Sequence, residues 1–62
     1  MNKMLIYGKC IRGAKIALLS LEECYEVKVD AGANEVFIRA NSLKEAINIF
    51  KEEEKKVESK MY

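Results

Sequence analysis

Polar and apolar residues alternate in two stretches near the middle of the chain. Tyr25, Val27 and Val29 alternate with Glu26, Lys28 and Asp30, the period of a half-buried strand. Val36, Ile38 and Ala40 alternate with Glu35, Phe37 and Arg39. That predicts a second strand with Phe37 on the face opposite Val36 and Ile38, and leaves open which face is covered. The stretch between them, Asp30-Ala31-Gly32-Ala33-Asn34, is rich in residues that tolerate positive φ. It predicts a chain reversal and so a hairpin.

From Ser42 the period lengthens. Ser42 followed by Glu45 has the spacing of a capping box, in which the hydroxyl accepts from the Glu45 amide and the carboxylate reaches back to the Ser42 amide. Leu43, Ala46, Ile47 and Phe50 then mark one face of a helix. Lys51-Glu52-Glu53-Glu54-Lys55-Lys56 is a run of strong helix formers, with Glu52 and Lys56 placed to pair at i,i+4. Val57 and Met61 continue the stripe and Glu54 interrupts it. A helix over about residues 42–60 is about 28 Å long, whereas a six-residue strand spans only about 20 Å. The last two turns are therefore expected to overhang the sheet, with Val57 and Met61 left for a partner.

The first third reads in two ways. Met4 to Ile11 suits a strand, with Gly8 marking a bulge or a close backbone approach. Across Gly13 to Cys24, Ala14, Ala17, Leu18, Leu21 and Tyr25 form a helical stripe of good helix formers. Alternatively, Lys15 to Ser20 turns back on the first strand through Arg12-Gly13, and Ser20-Leu21-Glu22-Glu23 opens a single helical turn. Propensity favours the helix, giving the order β-α-β-β-α, with ββββα as the second choice. Both orders are α+β: a small three- or four-stranded, mostly antiparallel sheet with a long C-terminal helix on one face.

Composition narrows the function. Sixty-two residues, 50% apolar and 34% charged, make one globular domain over 1–62 with a thin core. The chain has no histidine, which removes Ser-His-Asp and Cys-His catalysis. Two cysteines without histidine cannot close a common structural zinc site. No phosphate-cradling glycine motif occurs, so neither metal nor cofactor is expected. A chain this short is not expected to enclose a substrate cavity of roughly 300 Å³ or more. Cys10 and Cys24 can join only if their Cα atoms lie roughly 5.5 Å apart. The absence of a secretory pattern or a long apolar run points to a cytoplasmic protein with reduced thiols.

Charge is unevenly spread, although the net charge is only +1. Residues 1–21 hold Lys3, Lys9, Arg12 and Lys15 and none of the ten acids. With Tyr7, they make a candidate contact for phosphates or an acidic partner. The competing reading is of solvated positions balanced by Glu22, Glu23 and Glu26. Phe37 beside Arg39 is a candidate interface anchor. The rim of the first strand is a candidate for strand addition by a partner. Glu22-Glu23 and Glu52-Glu53-Glu54 read as solvated faces, because sequence neighbours on a helix diverge too far to act as a dyad.

Residues 36–47, Val-Phe-Ile-Arg-Ala-Asn-Ser-Leu-Lys-Glu-Ala-Ile, resemble the strand-to-helix passage of several small α+β modules, HicB-type antitoxins among them. The likeness covers about a fifth of the chain. The Pro-rich segment that precedes this passage in those antitoxins is absent, and no functional residue is carried over.

The expectation is a non-enzymatic interaction protein that regulates or inhibits a protein partner and self-associates as a dimer, as a phage-type or mobile-element inhibitor does. Its candidate contacts are Tyr7, Lys9, Arg12, Lys15, Phe37, Arg39, Val57 and Met61. The alternative is a nucleic-acid-binding module using the basic N-terminal segment.

Overall fold

Arg12-Gly13 and Gly32-Ala33 each reverse the chain within two residues. Arg12 and Gly13 both have positive φ, 51° and 83°, the sign pattern of a type I′ hairpin turn; Gly32, at 66°, takes the first position of a II′-like turn. The computed structural model describes residues 3–59. Four strands result: β1 (Met4–Ile11), β2 (Ala14–Ser20), β3 (Tyr25–Ala31) and β4 (Asn34–Ala40), followed by helix α1 (Leu43–Glu58). They form one antiparallel sheet in the order β1-β2-β3-β4, so β1 and β4 are its edges.

The order is therefore ββββα, and the helix favoured over Gly13–Cys24 is corrected to strand β2 and a loop. The physical reason is packing. Ala14, Ile16 and Leu18 alternate to one face and are buried there, while β2 is hydrogen-bonded on both sides. Those gains outweigh the helix propensity of alanine and leucine. The expected helical turn at Ser20–Glu23 is also absent. The Leu21 amide donates to the Cys24 carbonyl at 2.8 Å, the reverse of the helical direction, and closes the loop between β2 and β3.

Helix α1 lies across β2, β3 and β4 and touches β1 least. Ile16, Val27 and Val29 are almost fully sealed beneath it, with Ala40, Ala46, Phe50 and Val57 completing the core. Ser42 caps the helix as the sequence indicates: its Oγ accepts from the Glu45 amide at 3.2 Å. The Glu45 carboxylate accepts from the Asn41 amide at 2.8 Å rather than from Ser42.

Val57 does not overhang. It is 5% exposed and belongs to the core. The strands have seven or eight residues and span about 23–26 Å, while the sixteen-residue helix spans about 24 Å. Sheet and helix match in length, so among the described residues no helical overhang remains. Met61 lies outside the described residues. Glu53, read as solvated, is also buried, at 3% exposure. It falls in the series Ala46, Phe50, Glu53, Val57 that points at the sheet.

Candidate interaction surface

Because α1 is centred on β2 and β3 and reaches β1 least, the first half of β1 is left uncovered. Four consecutive apolar residues lie there: Met4 is 68% exposed, Leu5 61%, Ile6 45% and Tyr7 54%. Leu5 pairs with Leu19 and Tyr7 with Leu18, so Ile6 is the extra residue of a β-bulge. The bulge lets Ile6 and Tyr7 line the helix side together. Tyr7 stands edge-on to Phe50 of α1 with ring centroids 5.4 Å apart, a favoured aromatic geometry.

On the helix, Leu43 and Ile47 face the same gap and remain exposed. Ile6, Tyr7, Leu43 and Ile47 wall a groove of about 310 Å³, with Leu18 and Phe50 contributing to it and Lys51 as the one charged residue among the described residues that line it. Its volume reaches the range of ligand cavities that a chain this short was not expected to offer. Its walls are exposed, however, so it is an open groove beside a strand edge. β1 also presents outward backbone N–H and C=O groups along that edge.

Ion pairs neutralise the nearby cations. Lys9 lies on the helix side of β1 and donates to the Glu54 carboxylate of α1; that hydrogen bond raises the lysine pKa above 10.5. Lys3 crosses the opposite face to the buried Glu26 at 3.5 Å. Arg12 occupies the first turn and Lys15 is exposed on β2. The basic segment is thus divided among two ion pairs, a turn and a strand rather than gathered into one patch.

Phe37 lies on the open face and is 50% exposed, with Lys28 Nζ 5.6 Å and Lys3 Nζ 5.9 Å from its ring centroid. Lys28 also pairs with Glu35 at 3.4 Å, and Arg39 stands opposite Glu26 in the register. Tyr7 and Lys9 therefore share the helix side of β1, while Phe37 and Arg39 occupy the other face of the sheet.

Sequence reasoning missed Ile6, Leu43 and Ile47 as surface residues. A signal was present. Met4-Leu5-Ile6-Tyr7 is apolar without alternation, and a strand with one covered face cannot hide both sides. The cysteines Cys10 and Cys24 are free. Among the described residues no group of three or more Cys, Asp or Glu is placed to hold a metal, and no helix is long and apolar enough to cross a membrane. Comparison with protein-family models, curated proteins and solved structures gives no match.

Proposed function

We propose that this chain is a small, non-enzymatic protein-interaction module that regulates or inhibits a protein partner and self-associates. The observation that carries this reading is the apolar groove between β1 and α1, continuous with an unpaired strand edge. Contiguous apolar surface on a small domain marks an interaction site. A free edge beside it supplies backbone pairing, and the groove supplies side-chain selectivity. The ion-paired state of Lys3 and Lys9 favours a protein partner over nucleic acid, whose phosphates would have to displace Glu26 and Glu54.

A photo-crosslinking residue in place of Leu43, expressed in the native host, tests the reading. A discrete cross-linked protein that disappears with Ile47→Lys is the expected result. Cross-linking unaffected by Ile47→Lys, or a retarded oligonucleotide band in a gel shift at micromolar protein, would contradict it.

A further inference from the structure

We infer that the occupant of the β1 edge is a second copy of this chain. The two β1 strands pair antiparallel about a two-fold axis that passes beside Gly8 and joins the two sheets into one of eight strands. The inference rests on the reading of the groove as a protein-interaction surface and specifies its partner.

Area is the first argument. Met4, Leu5, Ile6 and Tyr7 with Leu43 and Ile47 retain 38–68% of their surface, on the order of 600 Å² together, against roughly 800 Å² per partner in a standard interface. The backbone of β1 and its flanking side chains supply the remainder. Charge is the second. Lys9 is matched by Glu54 and Lys3 by Glu26, so the edge is near-neutral and apolar. A surface of the same character complements it better than an acidic one.

The register follows from the side chains. In a two-fold antiparallel pair one residue must face itself. Centring on Lys9 would oppose two ammonium groups, which destabilises a sheet. Centring on Tyr7 would set the bulge at Ile6 of both strands immediately beside the axis. Centring on Gly8 sets Tyr7 against the second copy's Lys9 and keeps the two lysines apart.

Gly8 itself is not required by the single copy. Its φ is not positive, and an added Cβ would meet only Leu5 Cδ1 at 3.8 Å and the Ile16 carbonyl at 3.9 Å, ordinary contacts. A glycine inside a strand often marks the approach of another backbone. The axis is normal to the sheet, so both helices lie on the same side. Ile6 and Tyr7 of each copy then lie against Cys10 and Lys9 of the other, and the two open grooves, each with its own Leu43 and Ile47, sit diagonally across the seam.

The self-facing position can be trapped. Facing residues of an antiparallel pair have Cα atoms about 4.5–5.5 Å apart, within the disulfide range of roughly 4.4–6.8 Å. Gly8→Cys is made in a chain carrying Cys10→Ser and Cys24→Ser and oxidised gently with oxidised glutathione. The expected result is near-complete conversion to a covalent species of twice the 7.1 kDa chain mass, while Ala33→Cys at the far turn stays uncoupled. The unoxidised wild type is expected at the doubled mass by light scattering, and Ile6→Lys at the single mass with unchanged circular dichroism. A single mass for the wild type at millimolar concentration overturns the inference. So does a doubled mass with no selective coupling at position 8, because the copies would then meet elsewhere. In either case the broader reading is decided separately by the Leu43 cross-link to a host protein.

Discussion

Tyr7 of the edge strand and Phe50 of the helix meet edge to face, with centroids 5.4 Å apart and planes at 62°. The contact ties the least-covered strand to α1 and forms part of the groove that strand borders. Replacing Tyr7 by alanine is expected to cost about 1–2 kcal/mol. An aromatic pair contributes about 0.5–1.5 kcal/mol beyond its buried area, and Tyr7 is half exposed. Urea titration in an Ile6→Lys background checks the value without a contribution from assembly. An unchanged midpoint would remove Tyr7 as a tie between strand and helix.

Glu53 is the least consistent residue of the core. Its Oε2 accepts from Lys56 at 3.1 Å, three residues away rather than from the Glu52–Lys56 pairing that spacing suggested. Its Oε1 is buried without a partner among the described residues. Leaving such an atom unsatisfied costs about 1–3 kcal/mol, and apolar replacements of poorly satisfied buried ions often stabilise. Glu53→Met is therefore expected to raise stability by an amount on that order. Lys56→Ala, which strips the carboxylate of its remaining partner, is expected to lower it. A loss of stability in Glu53→Met would show that the carboxylate contributes more than it costs.

The Lys9–Glu54 pair gives a signed pH dependence. The hydrogen bond to Glu54 holds the lysine pKa above 10.5. A raised folded value means that the stabilising effect is complete below the unfolded pKa and disappears as pH rises through the folded one. The melting temperature of the wild type should exceed that of Lys9→Met at pH 8, and the gap should narrow as pH is taken past about 10.5. A gap that stays constant to the alkaline limit would contradict the pairing.

Arg12 carries the one positive φ outside glycine among the described residues. The left-handed conformation disfavours most side chains by roughly 1–2 kcal/mol, and asparagine followed by glycine is the preferred pair for this turn. Arg12→Asn is expected to stabilise the chain by up to about 1 kcal/mol in thermal unfolding. A decrease would show that the guanidinium makes a contact that outweighs the backbone strain.

The parts of the fold that local chemistry dictates are legible in the sequence. The alternation at 25–30 and 35–40 gives β3 and β4, Gly32 gives their turn, and Ser42 with Glu45 gives the helix start. Phe37 lies on the open face, one of the two alternatives the alternation allowed. β2 was hidden because Ala, Leu and Lys carry helix propensity, and only neighbouring strands make them a strand. Val57 is covered because the strands run to seven or eight residues, one or two more than the six that the alternation marks. At the surface, the edge position of β1 agrees with the sequence, and the unbroken apolar run Met4-Leu5-Ile6-Tyr7 carries a signal for Ile6. The exposure of Leu43 and Ile47 has none, because the groove depends on where the helix lies across the sheet, a tertiary property.

Residue-resolved hydrogen exchange over Met4–Ile11, followed from micromolar to millimolar protein, tests most directly whether this edge is where another copy docks. Outward-facing amides of an unpaired edge exchange freely, and pairing slows them. The expected result is protection at alternate positions around Gly8 that grows with concentration, while the amides of β4 stay constant. Exchange along β1 that is rapid and identical at every concentration would contradict it.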